Sequence, residues 1–211
     1  MSDNEADATA EGPDDVDESG STDDSAAAGD ERSSVVLLDV LPNGRPDDDR
    51  PNYQKSPIAY GLETDSFLLY ELALSDEADL AVSDRIPLDD NDDVTRYRAV
   101  EFDDLTRNAA AEIEYAVSDI VDAEERRFVD FYNEAGPMTL RLHQLNLLPG
   151  IGKKLRNNVL DERKRGPFES FEALSDRVSG LHRPREVIVE RIVEEIREDD
   201  LKYQTFVDRN A

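Results

Sequence analysis

The strand-like and helix-like parts of this chain do not interleave, and that separation limits its fold more than any other feature. Between Ser34 and Phe102 the apolar residues fall into short β-branched runs or alternate with period two. "SVVLLDVL" ends at "PNG"; "IAYGLE", "SFLLYELALS" and "DRIPL" follow; after the turn "DDNDD" comes "TRYRAVEF". Beyond Phe102 the apolar residues recur at helical spacing instead. Strands gathered first and helices gathered after them specify an α+β chain.

Five short strands separated by turn signals predict a small closed or partly open β-barrel over residues 34–102, with the OB-fold as its natural form. Two connecting helices are expected over 103–136. "DDLTRNAAAEIEYAV" opens on Asp caps and spaces Leu105, Ala109 and Ile113 along one face. "SDIVDAEERRFVDFYNEA" groups Ile120, Val121, Phe128, Val129 and Tyr132, and Gly136-Pro137 stops it. Residues 137–198 then read as an all-α domain of four helices in two pairs: "PMTLRLHQLNL" with "GKKLRNNVLDERKR", and "ESFEALSDR" with "PREVIVERIVEEIRE". Pro184 suits the first turn of the last helix. Residues 199–211 are left as a C-terminal tail.

Residues 1–33 hold twelve acids and one Arg among Ala, Ser and Gly. Such a segment buries too little apolar surface to offset the entropy of ordering, so a disordered, solvating tail is expected. Acids exceed bases by 27 in the whole chain, with 30 Asp and 21 Glu against 19 Arg and 5 Lys. Acids spread in this way hold water and cations and suit a protein that stays soluble at high salt, as in a halophile's cytoplasm. The absence of Cys excludes disulfides, thiol catalysis and Cys-based zinc sites, and two His leave little for a His-rich metal centre. No apolar run approaches the ~20 residues of a membrane span, and the acidic N-terminus is unlike a signal peptide.

The stretch that carries chemistry is "LLPGIGKKL". Gly150 and Gly152 allow positive φ and put no Cβ between the backbone and a ligand. Pro149 opens the run, and Ile151 can plug the turn into the core between the helices. The amides of Gly152, Lys153 and Lys154 then stand at a helix N-terminus, where orphan donors and the helix dipole favour an anion. The sequence resembles the tandem helix-hairpin-helix family over "LPGIGKKLRNNVLDERKRGPFESFEALSDRVSGL". The resemblance implies sequence-independent binding of the sugar-phosphate backbone of DNA or structured RNA. It also implies a monovalent cation held by hairpin carbonyls near Gly150. The second hairpin, "SGLHRP", keeps Gly180 and Leu181 but has His182 in place of the second glycine, so Arg183 or Arg185 is expected to supply side-chain contacts. His182 itself reads as a hairpin filler or exposed residue, and His143 as facing solvent.

A wider resemblance is to the archaeal family catalogued as domain of unknown function 655. It is carried by "DVLPNGRPDDDRPNYQKSP", "EERRFVDFYNEAGPMTLRLHQLNLLPGIGKKL" and "RGPFESFEALSDRVSGL". That resemblance implies a nucleic-acid-binding protein in an RNA or translation context.

The loop "GRPDDDRPNYQKSP" is a second candidate surface, because Arg45, Arg50, Tyr53 and Lys55 mix bases with an aromatic ring. Charge is also uneven along the chain: residues 1–33 have a net −11, residues 34–148 a net −16, and residues 149–211 a net zero. In that neutral segment Lys153, Lys154, Arg156 and Arg163 to Arg165 read as a relative basic face. "DDNDD" lacks the glycine and distal glutamate of a calcium loop and reads as a solvated turn. "DDD" at 47–49 has no second acidic motif to complete a two-metal nuclease. The sequence therefore predicts a non-catalytic cytoplasmic protein that needs no cofactor and binds nucleic acid, RNA before DNA. Alternatives are a protein-interaction scaffold on a ribosome or polymerase assembly, and a structure-specific nuclease.

Overall fold

The computed structural model describes residues 34–45, 49–51 and 54–209. The expected disordered segment, Asp47, Asp48 and Tyr53 lie outside the described residues.

The five expected strands form, as β1 (Ser34–Leu41), β2 (Ile58–Glu63), β3 (Leu69–Leu74), β4 (Arg85–Pro87) and β5 (Val94–Val100). They make one antiparallel sheet in the order β4-β1-β2-β3-β5, curled into a half-barrel whose edges are β4 and β5. The run "VVLL" is continuously apolar because both faces of β1 are covered. Val35 and Leu37 join Ala59, Leu72, Leu74 and Ile86 inside the curl. Val36 and Leu38 join Tyr60 and Leu62 against the helices. At Gly61, on the inner face, an added Cβ would lie 2.1 Å from Val35 Cγ1. Only glycine lets β1 and β2 close at that point.

Thr106 starts α1 (Arg107–Ala123): its Oγ1 accepts from the Ala109 N–H at 3.0 Å and donates to Asp39 Oδ2 at 2.5 Å. The first expected connecting helix was to end near Val117, but α1 runs on through Ser118, because Val117, Ile120 and Val121 extend its buried stripe. The break falls at Glu124 (φ −117, ψ 34), and α2 (Glu125–Glu134) follows. Three more helices complete the fold: α3 (Lys153–Arg163), α4 (Phe171–Arg177) and α5 (Pro184–Arg197). One apolar core runs from Val36 on β1 through Ile113 and Phe128 to Ile192 on α5. The half-barrel and the later helices therefore share a core that α1 and α2 bridge.

The helix expected over "PMTLRLHQLNL" does not form. Pro137 and His143 make an isolated antiparallel bridge, and only Gln144–Leu147 coils, as a 3-10 turn. Local acceptors take the amides that a helix would need. Thr139 Oγ1 accepts from the N–H groups of Arg141 and Leu142, and His143 Nδ1 accepts from Leu145 N–H. His143, expected to face solvent, is buried.

Residues 201–209 dock rather than trail away. The fully buried Glu195 carboxylate accepts from the N–H groups of Thr205, Phe206 and Val207, and from Arg191 Nε at 2.7 Å. Phe206 packs on Phe131 with ring centroids 5.0 Å apart, and Arg209 reaches Glu101 at 2.8 Å.

Candidate nucleic-acid interface

Two turns of the same construction precede α3 and α5. In the first, Ile151 N–H donates to Leu148 O at 3.1 Å, with Gly150 at φ +75. In the second, Leu181 N–H donates to Val178 O at 3.1 Å, with Gly180 at φ +94. A left-handed third residue defines both turns, which is why each has glycine there. The residue after each glycine is a buried plug, Ile151 at 4% exposure and Leu181 at 2%. Gly152 differs from expectation: its φ of −77 and ψ of 179 place it as an extended N-cap with no left-handed demand. Its value lies in clearance, since a Cβ added at Gly150 or at Gly152 would meet nothing within 4 Å.

The helices that follow begin without side-chain caps, at Gly152 for α3 and at Arg183 for α5. By contrast, Thr106 and Ser170 cap α1 and α4. First-turn amides without a cap need water or a ligand, and the dipole directs an anion to them. The two turns are neighbours. A Cβ on Gly180 would lie 3.6 Å from Leu155 Cδ1, and Asn158 Nδ2 donates to Ser179 O at 3.0 Å. A cavity of about 600 Å³ lies between α1 and α5, lined by Ser118, Arg185, Val189 and several glutamates, with Pro149 and Arg183 also on its wall.

Lys153, Lys154 and Arg183 are exposed, and among the described residues their side chains make no hydrogen bond or ion pair. The remaining bases of the expected basic face are committed elsewhere. Arg163 Nη1 donates to the carbonyls of Asn133 and Ala135 at 2.7 and 2.9 Å, closing the C-terminus of α2. Lys164 pairs with Asp161 and Arg165 with Glu162. Of the expected basic face, the free cations thus stand at the start of α3 and not farther along it. Arg185, expected as a phosphate contact, binds Asp122 at 2.5 Å and Ser118 O at 3.2 Å. That hydrogen bond from Arg185 holds the Asp122 carboxyl below its ordinary value.

Sequence reasoning missed the brace under the first turn. Asn146 Nδ2 donates to Ile151 O at 2.9 Å, and Arg156 Nη1 donates to Asn146 Oδ1 at 3.0 Å. No periodicity marks Asn146; only the folded turn brings the amide to that carbonyl. The carbonyls of Leu148 and Gly150 also accept protein donors, so a cation near Gly150 would share oxygens already bonded. Among the described residues no group of three or more His, Asp or Glu is placed to hold a metal ion.

The β1–β2 loop behaves differently from the turns. Arg45 Nε donates to Glu71 Oε2 at 2.6 Å, on the face of β3 that also receives Arg98 at 3.0 Å. Burial acts to raise the Glu71 carboxyl, but the hydrogen bonds from Arg98 and Arg45 outweigh it and hold it below its ordinary value. Arg50 is exposed and Lys55 half-buried, with Lys55 Cβ against Gly44. His182 is exposed on the second turn. No helix among the described residues is long and apolar enough to cross a membrane.

Residues 30–208 match the family described as "Protein of unknown function (DUF655)". The chain is 37% identical over 176 residues to the uncharacterized protein MJ0038 of Methanocaldococcus jannaschii, covering 81% of this chain and 77% of that one. The crystal structure of Af1531 from Archaeoglobus fulgidus superposes with a TM-score of 0.77 at 37% identity, over 83% of this chain and 99% of that one.

Proposed function

We propose that this chain, which belongs to the DUF655 family, is a non-catalytic protein that grips the sugar-phosphate backbone of a nucleic acid through the paired turns at Gly150 and Gly180, RNA before DNA. One observation carries the reading. In a chain with 51 acids, the side chains of Lys153, Lys154 and Arg183 have no partner among the described residues, and they stand at the two helix N-termini that open on a glycine turn and lack a side-chain cap. Amides and cations reach phosphate oxygens but read no base edge, so recognition is by backbone shape. In this reading the two units are helix-hairpin-helix elements, the first shortened to a 3-10 turn before its hairpin.

The half-barrel is then a partly open, OB-like platform whose β1–β2 loop contributes Arg50 and Lys55. The loop between β4 and β5, with Asp89, Asp90, Asp92 and Asp93, repels phosphate and turns that end of the platform away from the ligand. An acidic surface of this kind suits a halophile. At ~1 M salt the Debye length is about 3 Å, so contact bonds to phosphate outlast long-range attraction.

The test is fluorescence anisotropy at ~1 M KCl with a labelled RNA hairpin, the DNA hairpin of the same sequence and a single strand. Wild type is expected to bind the RNA hairpin at least as tightly as the DNA. Gly150→Ala/Gly152→Ala is expected to bind about tenfold more weakly with its circular dichroism retained. Equal affinities of wild type and variant for every probe would defeat the proposal. A partner that survives nuclease treatment in pull-downs would favour a protein scaffold instead.

A further inference from the structure

The two edges of the sheet are not equivalent. β4 is three residues long and ends on Pro87, which has no N–H to offer a further strand. β5 has seven residues and, among the described residues, pairs with β3 alone. From Arg96 to Val100 its register with β3 is unbroken, after an irregularity at Thr95. Residues 95–99 are all exposed, and the N–H and C=O groups that point away from β3 form an open ladder. Edges are commonly protected by charged side chains, and Arg98 is already drawn onto Glu71. Arg96 is exposed, and among the described residues its side chain makes no hydrogen bond or ion pair. Tyr97, on the opposite face of the strand, is 42% exposed and fixed by Tyr70 at 5.5 Å and by its hydroxyl donating to Asp89 at 3.0 Å.

We infer that β5 is a docking edge for an extended segment of a partner protein, added as an antiparallel sixth strand. The charges set what the segment must carry. Its residues opposite Arg98 and Arg96 are acidic, two apart and on one face. The next residue on that face lies towards the Asp89–Asp93 turn and is basic. Apolar β-branched residues between them cover Tyr97. A second copy of this chain fits badly, because antiparallel β5–β5 pairing about Tyr97 would set Arg96 of each copy against Arg98 of the other.

The probe is the capped peptide Thr-Glu-Val-Glu-Val-Lys-Thr, titrated into the full chain in KCl sufficient to keep it folded by circular dichroism. Backbone amide shifts are followed by NMR. Saturable shifts confined to β5 and its β3 neighbours are expected. A peptide of reversed charge order, Thr-Lys-Val-Glu-Val-Glu-Thr, and the variant Arg96→Glu should each bind threefold to fivefold more weakly, the size of an exposed ion pair. A peptide N-methylated at its first valine, the residue opposite Tyr97, should not bind, because the methyl removes a ladder donor. Ala99→Pro should abolish binding while leaving nucleic-acid affinity unchanged, which separates this edge from the turns. No saturable binding, or equal binding of both charge orders, overturns the inference and leaves the arginines as guards of a bare edge. A dimer in light scattering that Ala99→Pro dissociates would also overturn it, in favour of self-pairing.

Discussion

Ile151 and Leu181 hold the same place in two successive turns. Each N–H closes on the carbonyl three residues back, and each side chain is buried beneath a left-handed glycine. The repeat fixes where α3 and α5 begin, and therefore where their unpaired amides point. Gly150 and Gly152 should then respond differently to substitution. Gly150→Ala forces a Cβ into the left-handed region, at about 1–2 kcal/mol. Gly152→Ala meets open space at an ordinary φ and should cost about 0.5 kcal/mol, the usual difference between Gly and Ala at an N-cap. Denaturant midpoints test the order. If clearance for phosphate is the role of Gly152, its variant loses affinity while keeping stability.

The inner face of the half-barrel makes a separate prediction. Gly61→Ala places a Cβ on Val35 Cγ1 and near Leu72 Cδ1, in a curl with no slack. Overpacking of this kind costs about 1–3 kcal/mol. Val35→Ala removes the clashing methyl, so the double variant should be less destabilised than the two single variants predict together. A strictly additive double-mutant cycle would show that the strands part instead of clashing.

The strands were legible because their signals are local. Both ends of β1 and β2 fall where the β-branched runs begin and end. The glycine turns were legible for the same reason, since Pro-Gly at 149–150 specifies its own geometry. Two features were not. A helix over 137–147 fits the spacing of Met138, Leu142 and Leu145, yet Thr139 and His143 compete for the amides, and spacing does not record that competition. The basic face was misplaced because charge counts do not say which Arg caps a carbonyl. Arg163, of that face, is spent on α2, and Arg185, expected at the second hairpin, is drawn onto Asp122, both through contacts remote in sequence.

Glu195 ties the C-terminal segment to α5. Glu195→Ala takes from the buried Arg191 its buried carboxylate partner, leaving it Glu194 and the Tyr203 carbonyl, and frees three amides together. Breaking a buried pair in this way costs about 3–5 kcal/mol. Denaturant unfolding should show a loss of that order, with early proteolytic cleavage after Lys202 or Tyr203. A loss below about 1 kcal/mol would mean that Phe206 and Val207 hold the segment without the carboxylate.

Burial, together with the charges of Arg156 and Arg163, lowers the His143 imidazole from its ordinary value of 6.5. The folded state therefore takes up a proton less readily than the unfolded chain. His143 contributes no pH dependence well above pH 6.5. Stability should fall as pH drops below 6.5, until the depressed folded value is passed. Thermal midpoints from pH 7.5 down to about 5, above the ordinary carboxylate range, should decline more steeply for wild type than for His143→Asn. Parallel curves would place the titration elsewhere.

Salt dependence separates cations that meet phosphate from those that hold the fold. Each phosphate neutralised adds about 0.9 to the slope of log affinity against log salt on duplex DNA, and about 0.7 on a single strand. Lys153→Ala/Lys154→Ala removes two side chains that have no partner among the described residues, so the slope should fall by about 1–2 while stability stays within ~0.5 kcal/mol. Arg163→Ala removes the cap on the α2 carbonyls and should do the reverse, lowering stability and leaving the slope unchanged. Titrations of the RNA hairpin from ~0.3 to 2 M KCl measure both slopes. If the lysine pair leaves the slope where it was, these cations do not meet phosphate and only the backbone amides remain as the grip.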